Sequence, residues 1–435
     1  MARPSQNMSR DPSDVPPREA AAWIVRVLRD EGFTANFAGG CVRDELLNLH
    51  PLDYDIATSA RPDDIVRIFP KASQVGAAFG VMLVRKHGVT VEVATFRADG
   101  PYSDKRRPDS ITFADEAADA RRRDFTINAL FLDPFKPAID ASRVIDHVGG
   151  VADLHARVLR AVGDPNARLE EDHLRALRAV RFSTRLGFEI EAKTAAAIRA
   201  HANQLRGVSR ERIGDEIRLM LARPTRRASM EALSALTLDI PVFDRAPDPG
   251  SPAAGGAYPR LAADSDLPGA LAAVLIDRRN DDLLAASPKG EGTRLDALRV
   301  TRAALCLSND ERDDCLATLG SLASMIHDWT GLGVAGRKRL AGGRRFATAL
   351  SLLQAINAGR ADEIQTDVRS LSGQCGGISP LPWRSGDALV AAGLKPGPRF
   401  KVILDQVYDA QLEGRVATSA QALALAMELG GTSRV

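Results

Sequence analysis

Strand-forming segments are confined to the first third of this chain of 435 residues. Short runs rich in β-branched and aromatic residues, such as 81–85 and 89–96, occur between residues 33 and 140, with Gly, Pro and Asp between them. After Gly150 these runs stop, and apolar residues recur at helical spacing. The sequence therefore predicts an α+β protein, in which a domain built on one sheet is followed by a helical remainder.

The composition is that of a globular protein with a sizeable core, because 45% of residues are hydrophobic and 26% are charged. The 58 Lys and Arg residues against 56 Asp and Glu give a net charge of +2. This balance excludes a bulk polycation, so a nucleic-acid site would need locally concentrated charge. Four dispersed cysteines without a C-x-x-C pair indicate a reducing, cytoplasmic setting. No apolar run approaches the ~20 residues of a membrane helix, and residues 1–17 are predicted to form a disordered leader.

Two carboxylates, Asp53 and Asp55, lie in the segment LDYDIATSA. In a strand, side chains at i and i+2 project from the same face, and two carboxylates that close repel each other unless a cation lies between them. Mg²⁺ favours one or two carboxylates together with substrate phosphates, so the pair predicts a magnesium site. The alternative is a surface turn with two solvated acids. Glu92, in the run VTVEVATF, is either a third acid of this site, a partner of Arg97, or part of a solvent-facing strand surface.

Candidate phosphate and sugar contacts surround these acids. Gly39 and Gly40 precede a predicted helix, where backbone N–H groups can approach a phosphate, and Arg43 adds a cation. A Gly-Gly pair is also a common tight turn. The segment ARRRDFTINAL offers a cationic group, a hydrogen-bond acceptor and an amide for a sugar and its phosphates, and the three candidates are Arg123, Asp124 and Asn128. The alternative is that three successive arginines form a solvated face.

A helix is predicted over 172–186, in EEDHLRALRAVRFSTRLGF, and Asp172 and Arg175 would share one of its faces. They form either an ordinary i,i+3 ion pair or a rigid acceptor and donor that read a base edge. Further on, the stretch from Trp329 to Arg360 contains basic residues and no acid, which predicts salt-sensitive contact with an RNA backbone or else a solvated helix face. Its basic residues are Arg337, Lys338, Arg339, Arg344, Arg345 and Arg360.

The order of these motifs resembles that of the class II tRNA nucleotidyltransferases, a family that comprises bacterial CCA-adding enzymes and poly(A) polymerases. The resemblance runs over residues 22–221, about half of the chain, and a segment at 385–414 resembles the RNA-gripping tail of the CCA-adding branch. The collinear motifs are GGCVRD, LDYDIATSA, VEVATFR, RRRDFTINAL, GGVADL, EEDHLRALRAVRF and VSRERIGDE.

This resemblance implies a polymerase-beta-like nucleotidyltransferase head on a mixed sheet, followed by an all-helical neck, body and tail. The implied boundaries are 18–150 for the catalytic head, 151–222 for the base-recognising neck, 223–372 for a body with a linker or insertion at 244–269, and 373–435 for a tRNA-binding tail. It also implies residue roles. Asp53 and Asp55 would bind the metal, with Glu92 as third acid, and Gly39, Gly40 and Arg43 would contact the triphosphate. Arg123, Asp124 and Asn128 would surround the ribose, Asp172 and Arg175 would contact the base, and Arg178 and Arg181 would contact phosphates. Residues 209–212 would be mainly structural.

The function that the resemblance implies is template-independent addition of CCA, or of its terminal A, to the tRNA 3′ end. CTP and ATP would be the substrates and Mg²⁺ the cofactor of a two-metal reaction that releases pyrophosphate. A poly(A) polymerase is disfavoured because residues 75–88 lack the basic-aromatic strand signature of those enzymes. A silent RNA-binding relative is disfavoured by the retained acids and arginines. An HD-type phosphohydrolase, suggested by His327-Asp328, is excluded because no other His follows His201. The sequence does not predict an oligomeric state.

Overall fold

The computed structural model describes residues 15–74, 80–102, 108–138, 141–255, 258, 260, 266–279, 282–286, 289–374, 376–383, 386–393 and 397–430. The chain divides into two units. One comprises Met1–Glu216 with Ala235–Pro241, and the other comprises Ile217–Ser234 with Val242–Val435. Residues 1–14 of the predicted leader lie outside the described residues. Pro17, its last residue, already begins the first helix.

The first unit contains a seven-stranded mixed sheet. Its strands are β1 Ala35–Ala38, β2 Asp55–Thr58, β3 Ser73–Gln74, β4 Val81–Lys86, β5 Val89–Thr95, β8 Leu130–Leu132 and β9 Val144–Asp146, in the order β3-β4-β5-β2-β1-β8-β9. Strands β2 and β5 run parallel, and the other described neighbours run antiparallel. Burial alternates along β5, where Val91 and Val93 are buried and Glu92 is exposed, as period-two packing requires. The predicted mixed sheet is confirmed.

Helices surround this sheet and continue after it. They are α1 Pro17–Asp30, α2 Gly40–Leu46, α3 Pro62–Ile68, α4 Glu116–Arg121, α5 Gly150–Ala156, α6 Pro165–Glu171, α7 Arg175–Leu186, α8 Ala192–His201 and α9 Arg210–Leu221. Helix α1 buries Ile24, Val25 and Leu28 in a cluster that also contains Phe37 of β1 and Val93 of β5. This apolar stripe at helical spacing is what docks α1 on the sheet.

The predicted all-helical neck is wrong in one detail. A parallel pair, β10 Val158–Leu159 and β11 Glu189–Ile190, lies within it. Two-residue strands are too short to show an alternating pattern, so no periodicity predicts them. A separate antiparallel hairpin in the head, β6 Arg97–Asp99 with β7 Ile111–Phe113, follows β5.

Beyond Ile190 the described part of the chain contains helices and no further strand. They are α10 Arg226–Ala235, α11 Asp239–Phe243, α12 Leu267–Arg278, α13 Lys289–Leu305, α14 Asn309–His327, α15 Val334–Ala341, α16 Phe346–Ile356, α17 Ala358–Ser372, α18 Gly386–Ala391, α19 Pro398–Leu412 and α20 Ser419–Leu429. None of the described helices combines the length and the apolar character that spanning a membrane requires. Cys41 and Cys315 are buried thiols, Cys306 is half-buried, and Cys375 lies outside the described residues.

The segment predicted as a linker or insertion, 244–269, is anchored at buried positions that include Ser251 and Ala253, whereas residues 244–246, 249 and 250 are exposed. Tyr258 is fully buried, and its hydroxyl accepts a hydrogen bond from Arg278 Nη1 at 3.3 Å. Arg260 pairs with the buried carboxylate of Asp277 on α12. A few anchoring side chains therefore hold this segment, although its Pro, Gly and Ala content resembles that of a linker. Residues 256, 257, 259 and 261–265 of the segment lie outside the described residues.

Candidate active site

Three carboxylates meet where β2 begins. Asp55 is the first residue of β2, and its Cα pairs with that of Glu92 on the parallel strand β5. Asp53 lies two residues earlier, outside the strand, and all three residues are exposed. Loss of hydration, followed by the negative charges of Glu92 and Asp53, raises the pKa of Asp55 to about 6, against the opposing charge of Arg123. The strand pairing thus brings together the three acids that the sequence singled out.

The donors of this cluster suit a hard divalent cation. They are carboxylate oxygens, and the nearby Cys41 thiol is buried, which raises its pKa to about 12 and keeps it protonated in the metal-free protein. No group of three or more His, Cys, Asp and Glu side chains in the described ranges is placed to hold a metal by itself. The residues therefore fit an ion that takes part of its coordination from water or from substrate phosphates.

Gly39 and Arg123 form the next part of the site. Gly39 has φ +77°, and a Cβ at this position would lie 2.9 Å from Nη1 of Arg123. Arg123 is oriented by Asp119 of α4, to which its Nη2 donates at 3.0 Å, and by the carbonyl of Asn128 at 3.1 Å. The backbone conformation therefore requires a glycine here, and a side chain would in addition displace the Arg123 guanidinium. Gly40 follows as the first residue of α2.

The structure places Arg43 differently from the prediction. Its side chain is 3% exposed, with Nε and Nη2 bound to Asp44 at 2.8 and 2.7 Å and Nη1 bound to the side chain of Asn128. All three guanidinium nitrogens thus face protein groups. The predicted contact with a triphosphate does not fit this arrangement, because the guanidinium is buried and its nitrogens are bound to Asp44 and Asn128. Sequence reasoning missed this because Asn128 is 85 residues away.

Asp124 is also fully engaged. One carboxylate oxygen accepts from the Phe125 N–H at 2.8 Å and from Asn128 Nδ2 at 3.1 Å, and the other accepts from Arg178 Nε at 2.8 Å. Burial opposes ionisation, but the charge and hydrogen bonds of Arg178 and the Asn128 amide overcome it and lower the pKa of Asp124 to about 2. The carboxylate is therefore permanently charged at physiological pH.

Asp172 and Arg175 do not form the expected ion pair. Asp172 lies between α6 and α7, and one of its oxygens accepts from the Leu174 N–H at 3.0 Å, a local turn that delays the helix to Arg175. Its other oxygen accepts from Arg212 Nη2 at 2.6 Å. Arg175 instead donates to the Glu171 carboxylate and, at 2.8 Å, to the carbonyl of Arg168. The predicted helix start is thus three residues too early, and a separate partner holds each side chain.

The structure adds residues that the sequence analysis did not assign. Asp119 is buried and binds both Arg122 and Arg123, a pairing that the i,i+3 and i,i+4 spacing on α4 would have indicated. Glu216, in the motif VSRERIGDE, accepts from Arg181 Nε at 2.6 Å. Its sequence offered no pairing signal, because the two residues are 35 positions apart.

The predicted basic surface at 337–345 is wrong in its charge balance. Lys338 is buried at 1% exposure, and acids outside the stretch, most of them distant in sequence, pair with its arginines. The ion pairs are Arg337 with Asp367, Arg339 with Asp405 and Asp409, Arg344 with Asp314, Arg345 with Asp266, and Arg360 with Glu363. An acid-free stretch of sequence is therefore not an acid-free surface.

Two family models match this chain. The model of the poly A polymerase head domain matches residues 35–160, and that of the probable RNA and SrmB-binding site of polymerase A matches residues 187–243. The CCA-adding enzyme of Geobacillus thermodenitrificans is 44% identical over 210 residues, which are 48% of this chain and 50% of that protein. The chain thus spans about half the length of the relatives that it matches at this level of identity.

Other likenesses extend over nearly the whole chain. The CCA-adding enzyme of Limosilactobacillus fermentum is 33% identical over 415 residues, 93% of this chain and 95% of that protein. The crystal structure of the Bacillus stearothermophilus CCA-adding enzyme in complex with CTP aligns with a TM-score of 0.71 and 28% identity, and covers 95% of this chain and 98% of that one. A Thermotoga maritima CCA-adding enzyme complexed with tRNA shares the fold at 16% identity, with a TM-score of 0.61 and coverage of 94% of each chain. The resemblance and the fold predicted from the sequence are confirmed, and the chain belongs to the family of CCA-adding enzymes.

Proposed function

We propose that this protein adds CCA, or its terminal A, to the 3′ end of tRNA, using CTP and ATP and releasing pyrophosphate without a nucleic-acid template. The observation that carries the proposal is the cluster of Asp53, Asp55 and Glu92 on the head, with Arg123 near enough to lower the pKa of Asp55. Relatives named CCA-adding enzymes, one of them in complex with CTP, support it.

Asp53 and Asp55 would hold the metal. Nucleotidyltransferases of this family use divalent ions, and the all-oxygen donor set favours Mg²⁺. When bound, Mg²⁺ supplies the charge that neutralises the triphosphate and lowers the pKa of the RNA 3′-hydroxyl. Asp55 must be ionised to bind the metal. Its pKa of about 6 means that the carboxylate is mostly ionised at neutral pH. Glu92 contributes a third negative charge beside it.

The remaining residues orient the nucleotide. Gly39 leaves open the space that a side chain would fill, and the Arg123 guanidinium beside it can meet phosphate charge. Asp124 and Asn128 fix the segment that follows Arg123 through their mutual hydrogen bond at 3.1 Å. Catalysis would then depend on positioning and on charge neutralisation rather than on a covalent intermediate.

Base selection is assigned to the neck. Asp172 offers acceptor oxygens and Arg175 offers donors, which together match the edges of cytosine and adenine better than those of other bases. Each contact of this kind discriminates by ~1–3 kcal/mol. Arg178 and Arg181 continue the same helix, where Asp124 and Glu216 pair with them, and they are proposed to meet the incoming phosphates. The tail at 373–435 is proposed to grip the tRNA, and a cytoplasmic location stays a prediction.

The test is product sequencing on three RNAs: a tRNA lacking its 3′ CCA, a tRNA ending in CC, and an unrelated RNA. With CTP, ATP and Mg²⁺, we expect CCA on the first, a single A on the second and no extension of the third. Addition of A to the second RNA without any extension of the first would narrow the activity to addition of the terminal A. A run of A on the unrelated RNA would indicate a poly(A) polymerase, and no incorporation anywhere would favour a silent RNA-binding protein. Asp63→Asn, an exposed acid on α3, is the matched control and should behave as wild type.

A further inference from the structure

Six polar side chains form a continuous chain of contacts beside the ring of Phe182, and both of its ends lie on α7. Arg43 and Arg178 each place their guanidinium 5.2 Å from this ring. Four members come from α2 and the segment after α4, and two come from α7. In order, the members are Arg185, Asp44, Arg43, Asn128, Asp124 and Arg178.

The two contacts at the ends of this chain hold one helix at two points. Arg178 binds Asp124 at 2.8 Å, and Arg185 binds the outer oxygen of Asp44 at 2.9 Å. Arg178 and Arg185 are seven residues, or two helical turns, apart on α7, which places them about 10 Å apart along its axis. A helix held at one point can pivot, whereas one held at two points on the same side keeps its tilt and its rotation.

The second point of attachment is well shielded from water. The side chain of Asp44 is 9% exposed and that of Arg185 is 28% exposed. The other oxygen of Asp44 binds the enclosed guanidinium of Arg43. Removing one partner of a shielded pair leaves the other charge uncompensated, so the contact resists both thermal opening and salt more than a surface pair does.

We propose that Asp44 and Arg185 are a positioning pair that sets nucleotide selectivity. Helix α7 begins at Arg175, so its orientation fixes where that side chain and the preceding Asp172 stand relative to Asp53 and Asp55. Arg185 lies about 15 Å along the helix from Arg175 and acts on selectivity only through this orientation. The inference rests on the proposed function, because it assumes that Asp172 and Arg175 meet the base.

The test compares Arg185→Gln with wild type in kcat/KM for CTP, ATP, UTP and GTP on tRNAs lacking CCA or only its final A. We expect discrimination against UTP and GTP to fall about tenfold, because one misplaced base contact is of that size. The loss should come mainly from a higher KM for CTP and ATP. Arg185→Lys, which keeps the charge, should recover most of the discrimination. Asp44→Asn breaks the same pair from the other side and should reproduce the loss.

The matched control is Arg18→Gln. It removes an ion pair with Glu45, the neighbour of Asp44 on α2, at 2.7 Å and with side-chain exposures of 40% and 13%, but it leaves α7 untouched. This variant should discriminate within twofold of wild type. If Arg185→Gln lowers the melting temperature while its discrimination equals that of wild type, the pair only stabilises the fold and the inference is overturned. If wild type itself incorporates no nucleotide, the proposed function is wrong, and the inference, which depends on it, is wrong as well.

Discussion

Replacing Asp55 by Asn should stabilise the metal-free protein while abolishing nucleotide addition. The pKa of Asp55 rises from 3.8 to about 6 in the folded protein, which means that its ionised form is disfavoured there. A rise of about two units corresponds to ~3 kcal/mol at 1.36 kcal/mol per unit. Because Asp55 is exposed, water and salt screen most of this unfavourable electrostatic energy. We therefore expect Asp55→Asn to raise the free energy of unfolding by about 1 kcal/mol.

The pH dependence gives this prediction its sign. Between pH values of about 4 and 6, the folded protein holds a proton on Asp55 that the unfolded chain has released. The ionised carboxylate therefore destabilises the folded protein by its full amount above pH 6, and this destabilisation is absent below pH 3.8. Calorimetry without metal should therefore show Asp55→Asn melting about 2–4 °C above wild type at pH 8, with the difference closing towards pH 4.5. Nucleotide addition by the variant should fall at least 10³-fold, because a metal ligand is lost.

Asp63→Asn serves as the control for loss of a negative charge on the same unit. Asp63 lies in the first turn of α3, where an acid favours the helix, so its replacement should lower stability slightly or leave it unchanged. The reasoning is refuted if Asp55→Asn melts below wild type at pH 8, or if the difference between the two proteins is independent of pH.

Three further predictions concern the surroundings of the site. Asp124→Asn should cost about 2–3 kcal/mol at pH 7, measured by urea unfolding, because the carboxylate with a pKa of about 2 is lost and Arg178 keeps an uncompensated charge; this cost should shrink only as the pH falls below 4. Gly39→Ala should destabilise by about 1–3 kcal/mol and lower kcat, since φ is +77° and the new Cβ meets Arg123; an unchanged melting temperature would contradict this. Arg344→Gln should leave tRNA affinity and its salt dependence unchanged in a filter-binding titration, because a carboxylate already neutralises this arginine; a salt slope reduced by about one would show a phosphate contact instead.

The sequence predicted best where a local pattern is sufficient. The strands at 81–86 and 89–95 carry dense β-branched residues, and the acids at 53, 55 and 92 meet because these strands and β2 pair as the mixed sheet requires. Helix α1 also carries local signals, namely an apolar stripe at helical spacing and an N-terminal proline.

The sequence failed where a partner is remote. Arg43 looked like a phosphate ligand until Asn128 and Asp44 were seen to occupy its nitrogens. The basic stretch at 337–345 has no acid beside it in the sequence, because its acidic partners come from other segments, up to 79 residues away. Asp172 was placed inside a helix because its competing turn, a single hydrogen bond to the Leu174 N–H, leaves no periodic trace. Side-chain pairing across long separations is set by tertiary packing, which spacing along one chain does not encode.

The central claim is that Asp53 and Asp55 together bind divalent ions beside a nucleoside triphosphate. Its most direct test is a Mn²⁺ titration followed by electron paramagnetic resonance, with and without a non-reactive CTP analogue. Wild type should bind Mn²⁺ weakly alone and at least tenfold more tightly with the analogue, because two carboxylates need phosphate oxygens to complete the site. Asp53→Asn should lose this enhancement, and Asp63→Asn should keep it. Equal binding of Mn²⁺ and analogue by Asp53→Asn and wild type would contradict the claim.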